Sequence, residues 1–102
     1  MLGWGRLMKF EWDEKKNEIN VEKHGISFKE AETVFYDSHW LKITDEEHTD
    51  RDATEDRFYA LGKSLYKNVL VVCYCEREND TIRIYSARVA KKSEKEVYNA
   101  YI

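Results

Sequence analysis

The chain has 102 residues, 42% of them hydrophobic and 36% charged, with a formal net charge of −3 at pH 7. That length supports one domain with a single modest core, and the apolar share, with seven Tyr, four Phe and three Trp, is too high for a disordered chain. No stretch approaches the about 18–20 apolar residues of a membrane span, and the negative net charge excludes a generic polyanion binder, so any nucleic-acid site has to be a local basic patch.

Residues 1–8 read as an N-terminal extension or alternative start, because Met8-Lys9-Phe10 would itself serve as a natural start; a single domain is expected over residues 9–102. The N-terminus lacks the apolar run of a secretory signal, which points to the cytoplasm. Residues 9–12 read as a short strand. Asp13 then supplies a side-chain oxygen to cap a helix that runs to His24 and stops at Gly25, a residue suited to the left-handed backbone at a helix end. This helix is mostly polar, with Ile19 as its main inward anchor. Ser27 and Glu30 have capping-box spacing, and Phe28, Ala31, Val34 and Phe35 make the apolar face of a second helix ending near Asp37.

Residues 40–44 read as a strand and residues 45–56 as an acidic loop. Three further strands are expected over 57–61, 70–75 and 82–89, joined through Gly62-Lys63-Ser64 and Glu78-Asn79-Asp80. A last short helix opens on a capping box of Ser93 and Glu96 and faces inward through Val97 and Tyr101. The order β-α-α-β-β-β-β-α predicts an α+β fold, a mainly antiparallel sheet with helices packed on one face and the other face open for a large ligand.

Cys73 and Cys75 lie two apart in a strand, on one face but too rigidly spaced for an easy mutual disulfide, and read as buried structural thiols. His24, His39 and His48 are scattered, and no close ligand spacing suggests a metal. In residues 82–88, IRIYSAR, alternation turns Ile82 and Ile84 one way and Arg83 and Tyr85 the other. Arg88 shares the isoleucine parity but lies at the strand end, where it could reach the rim, with Arg77 at the corresponding end of the preceding strand. Arg77, Arg83 and Arg88 beside Tyr74, Tyr85 and Tyr98 would suit RNA, since guanidinium pairs with phosphate and rings stack on bases. The same arginines would equally serve solubility and ion pairs with Glu76 or Asp80.

Five ordered motifs, FEWDE–N–KHGISF, the Phe-Tyr-Asp end of the second helix, EDRFYALGKS, VLVVCY–R and RIYSARVA–E–Y, together resemble the BrnT family of type II toxin–antitoxin toxins over nearly the whole chain. The resemblance implies a RelE-like fold and a metal-independent endoribonuclease without cofactor that halts translation. It also implies neutralisation by a BrnA-like antitoxin, whose ribbon-helix-helix domain would make the contact with DNA, in a heterotetramer. The motif residues here are Trp12, Asp13, Lys23, His24, Gly25, Glu55, Asp56, Arg57, Gly62, Arg77, the run from Arg83 to Arg88, Glu94 and Tyr98. Of these Gly25 reads as a helix stop, Asp13 as a cap, Trp12 as core and Gly62 as a turn residue.

The catalytic candidates are Arg77, Arg83, Arg88, His24 and Tyr98, and the RNA-binding candidates are Lys23, Arg57, Tyr74 and Tyr85. The general base stays open among His24, Glu55, Glu94 and Tyr98. His24 would also serve as a partner of the helix dipole, and Glu94 is favoured near a helix N-terminus on electrostatic grounds alone. The alternative class is a non-catalytic family member that acts only as an antitoxin-binding or regulatory module.

Overall fold

The structure, a computed structural model, describes residues 8–44 and 57–102; the expected acidic loop and Glu55 lie outside the described residues. The elements are β1 (Lys9–Glu11), α1 (Glu14–His24), α2 (Phe28–Glu32) continued by a 3-10 turn (Thr33–Tyr36), β2 (Leu41–Thr44), β3 (Arg57–Lys63), β4 (Val69–Arg77), β5 (Thr81–Val89) and α3 (Lys92–Ala100). The strands form one sheet in the order β1-β5-β4-β3-β2. Strands β2 to β5 pair antiparallel, whereas β1 lies parallel to β5, so the sheet is mixed.

Local chemistry explains where the first helices begin and end. The Asp13 carboxylate accepts from the Lys15 and Lys16 N–H groups, and Gly25 closes α1 at φ 70° with its N–H on the Val21 carbonyl. Ser27 Oγ accepts from the Glu30 N–H. Ile19, the expected anchor of α1, is exposed. The inward residue is Asn20, and the reason lies at the sheet edge. Strand β1 pairs with only the first residues of β5, so among the described residues the β5 backbone beyond them has no strand on its β1 side. The buried Asn20 carboxamide takes its place, donating 2.8 Å to the Ala87 carbonyl and accepting 3.1 Å from the Ala87 N–H.

One face of the sheet packs under α1 and α2: Ile82, Ile84, Ala87, Val72, Tyr74, Leu70 and Ala60 meet Phe28, Ala31, Val34 and Phe35. The second face is not left open as expected. At one end α3 lies on it, and Tyr98 joins Leu61, Val71 and Ala90 in a smaller core. Helix α3 also differs in detail from expectation. It starts at Lys92, so Ser93 lies inside it, and the Glu94 carboxylate caps it by accepting 2.7 Å from the Lys91 N–H. Tyr98 faces inward while Val97 and Tyr101 are exposed. Gly62 is a strand residue rather than a turn residue, and a Cβ there would sit 2.8 Å from Val34 Cγ1 and 2.9 Å from Trp40 Cβ. Its lack of a side chain lets the 3-10 turn close onto β3. The β4–β5 turn instead passes through Asn79 and Asp80 at φ 63° and 56°, residue types that tolerate the left-handed region. No helix among the described residues is long and apolar enough to cross a membrane.

Candidate active site

A β-bulge decides the electrostatics of the second face. The β4–β5 register steps from Tyr74↔Ile84 to Cys73↔Ser86, leaving Tyr85 as the extra residue. Ile82 and Ile84 before the bulge and Ala87 after it all enter the large core, so the parity of β5 reverses along its length. Arg88 therefore leaves the isoleucine face expected for it and stands on the same face as Arg83. There it borders a cavity of about 630 Å³ lined by His24 at the end of α1, Tyr59 and Leu61 of β3, Ser86 and Arg88 of β5, and Glu94 of α3.

Within this cavity Arg88 is held from two sides of one carboxylate. Its Nη1 and Nη2 donate 2.8 and 2.9 Å to the two oxygens of Glu94, a bidentate geometry that fixes the guanidinium plane. The Arg88 guanidinium beside Glu94 holds that carboxyl well down, from its ordinary 4.5 to about 2, with the Lys91 N–H assisting against the opposing effect of burial. Glu94 thus stays ionised across the physiological range and is poorly suited to carry a proton. His24 is exposed at the cavity margin.

The other candidate cations gather at the opposite end of the face. Arg83 Nη1 lies 2.9 Å and Arg77 Nε 3.7 Å from the same Glu11 oxygen. The Arg57 guanidinium sits 4.4 Å from the Tyr85 ring centroid, with Lys16 Nζ at 5.2 Å, and the Tyr85 hydroxyl lies 3.4 Å from Cys75 Sγ. Arg83, Arg57 and Tyr85 are thus brought together, apart from the cavity that holds Arg88 and His24. Lys23 is exposed on the last turn of α1 and does not line the cavity.

Two tyrosines are not where the sequence reading put them. Tyr74 is fully buried in the core against Phe35, Trp40 and Phe58, with no ring face available to a base. It pairs with Ile84, and so shares the isoleucine face. Tyr98 is 3% exposed and donates 2.6 Å to Asp37 Oδ2. Burial and the Asp37 carboxylate push its hydroxyl up to about 12, so it anchors α3 rather than facing the cavity. Cys73 and Cys75 are buried thiols that form no disulfide, and burial pushes the Cys73 thiol up. Among the described residues no three His, Cys, Asp or Glu side chains gather as metal ligands. The sequence reading missed Asn20, Asp37 and the cavity contributions of Tyr59 and Ser86; a polar residue on the inward side of an amphipathic helix was the one available signal, for Asn20.

A family model described as "Ribonuclease toxin, BrnT, of type II toxin-antitoxin system" matches residues 12–94. The chain belongs to the BrnT family. Its fold agrees: the 1.1 Å crystal structure of the Brucella abortus ribonuclease toxin BrnT aligns with a TM-score of 0.63 at 23% identity, covering 84% of this chain and 100% of that one. Comparison with curated proteins gives no match. The matched span includes His24, Arg88, Lys91 and Glu94, the charged residues that line the cavity. Membership in the BrnT family makes this a ribonuclease toxin of a type II toxin–antitoxin system and implies an antitoxin partner.

Proposed function

We propose that the chain is an endoribonuclease that cleaves RNA without a metal ion and so inhibits translation, with the cavity between β5 and α3 as its active site. The observation that carries this reading is the meeting of an oriented guanidinium, Arg88, with an imidazole, His24, on one cavity lining. Cleavage by the strand's own 2′-hydroxyl needs that proton removed, the departing 5′-oxygen protonated, and the charge on the crowded phosphate stabilised. Attack of the 2′-oxygen on phosphorus and rupture of the bond to the 5′-oxygen leave a 2′,3′-cyclic phosphate and a free 5′-hydroxyl.

In this mechanism His24 carries the proton and Arg88 faces the phosphate oxygens. A guanidinium has five N–H donors, so Arg88 retains donors for phosphate while Glu94 holds one edge. Arg83, Arg57 and Tyr85 bind flanking nucleotides by phosphate contact and stacking, and Arg77 supports Arg83 at Glu11. We further infer a BrnA-like ribbon-helix-helix antitoxin that alone contacts DNA. That fold forms by pairing strands from two chains, which favours a heterotetramer acting in the cytoplasm.

The test is RNA cleavage by the purified chain in EDTA. The wild type is expected to yield cyclic-phosphate ends, and His24→Ala and Arg88→Ala should each slow cleavage by roughly 100-fold or more. Wild-type rates in both variants would move the site elsewhere, and activity that needs added magnesium would end the metal-free reading. A wild-type chain that binds antitoxin but never cuts RNA would establish the non-catalytic module instead.

A further inference from the structure

The cavity that holds Arg88 and His24 has more floor than a phosphate needs. Its volume of about 630 Å³ lies within the range of pockets that enclose a small organic ligand, about 300–1,000 Å³. Besides the charged groups, Ile43, Tyr59, Leu61 and Val71 line it. The strand register shows how these side chains are ordered. On this face Leu61 and Val71 stand in one row with Arg88, and Ile43, Tyr59 and Cys73 stand in the next with Ser86. Arg57 and Cys75 form a third row with Arg83. Each row lies two residues further along the strands, about 7 Å from the last. The middle row is uncharged and open: Ile43 and Ser86 are exposed and Tyr59 is half-buried, whereas Cys73 between them is buried. The Tyr59 and Ser86 side chains both hydrogen-bond Cys73. Their hydroxyls thus meet on one sulfur, and a ring held at its tip loses little freedom when a ligand packs on it.

We propose that the middle row is a subsite for one nucleobase, that of a nucleotide adjoining the scissile phosphate, with Tyr59 as its stacking ring and Ser86 as a hydrogen-bonding group at its edge. The proposal rests on the active-site reading above. The order of the rows selects the occupant. RNA alternates an anionic phosphate with an uncharged aromatic base, and the face alternates guanidinium, uncharged ring and guanidinium. Unpaired bases stack on aromatic side chains whatever their sequence, and a hydroxyl both donates and accepts, so Ser86 can serve either kind of group on a base edge. The cations on either side are engaged by one carboxylate each, Arg88 by Glu94 and Arg83 by Glu11, and Arg57 lies over the Tyr85 ring. A guanidinium has five donors, so one carboxylate does not exhaust it. An apolar peptide would cover the middle row but make no use of the guanidinium groups that flank it.

The experiment maps the bond that the wild type cleaves in a labelled oligonucleotide and then compares kcat/KM on three versions of that strand. One is intact; the others lack the base, but keep the ribose, on the 5′ or the 3′ side of the cleaved bond. The wild type should cleave one of the two abasic strands roughly 10-fold more slowly than the intact strand. Tyr59→Leu should cleave the intact strand about as slowly as that abasic one and no longer distinguish them. Tyr59→Phe, which keeps the ring, should still distinguish them. Equal wild-type rates on all three strands overturn the subsite without recourse to any variant, and undiminished discrimination by Tyr59→Leu places the base elsewhere. Weaker antitoxin binding by Tyr59→Leu, with its discrimination between strands intact, gives the row to a protein partner and sinks the proposal. If the wild type cuts no RNA, or Arg88→Ala cuts at the wild-type rate, the active-site reading itself has failed and the subsite falls with it.

Discussion

Glu94 is the residue on which the cavity chemistry turns. Its carboxylate caps α3 and grips Arg88, and the second contact is the larger cause of its depressed titration. A carboxyl lowered in the folded state contributes stability that is fully present above its unfolded value near 4.5 and is lost as pH falls toward about 2. Glu94→Gln removes that contribution. In urea denaturation the wild type should therefore exceed the variant clearly at pH 6, with the gap narrower at pH 3; an equal gap at both would show that the ion pair does not act on folding. Gly62 makes the complementary point about sequence reading. A glycine before Lys63-Ser64 looks like a turn, but its conformation is that of a strand, and what requires glycine is the approach of Val34 and Trp40, residues far away in the chain.

At the scale of elements, α3 is held by the Tyr98–Asp37 hydrogen bond as well as by the Arg88–Glu94 ion pair. The Asp37 carboxyl would be pushed up by burial, but hydrogen bonds from the Tyr98 hydroxyl and from the Lys63 and His39 N–H groups outweigh this and hold it below its usual value. Tyr98→Phe keeps the ring in the small core and deletes the bond to a charged acceptor, so it should cost about 1.5–3 kcal/mol of stability. Cleavage per folded molecule should remain at the wild-type rate. A rate loss of 100-fold with an unchanged melt would return Tyr98 to the catalytic set. Hydrophobicity favoured Val97 and Tyr101 as the inward residues of this helix because they are the apolar pair at helical spacing. The tertiary contact reverses that choice, since only Tyr98 can bury its ring and still find an acceptor, on a residue 61 positions away.

For the molecule as a whole, a negative net charge is compatible with the proposed RNA-facing surface because three of its cations are placed and partly neutralised locally: Arg88 by Glu94, and Arg83 and Arg77 by Glu11. Affinity should then depend only modestly on salt. With Arg57, Arg83 and Arg88 as the phosphate contacts, the logarithm of the RNA association constant should fall with log salt at a slope of about −2 for a single strand. Fluorescence anisotropy with His24→Ala and a labelled oligonucleotide measures it, and a slope near zero would remove these guanidinium groups from the RNA footprint.

The sequence by itself determined the family, through ordered motifs spread along the chain, and the α+β character. It also placed the starts and stops that depend on neighbours a few residues away: the Asp13 and Ser27 caps, the Gly25 stop, and the alternation that turns Arg83 from Ile82 and Ile84. Only the tertiary structure decided the faces. One extra residue at Tyr85 reverses the parity of β5 and brings Arg88 to the side of Arg83, and the pairing of Tyr74 with Ile84 takes a proposed stacking ring into the core. Side-chain alternation is a property of one strand, readable over a few residues. Register, bulge and sheet order are set by hydrogen bonds to other strands, and the position of every cation relative to His24 follows from those bonds.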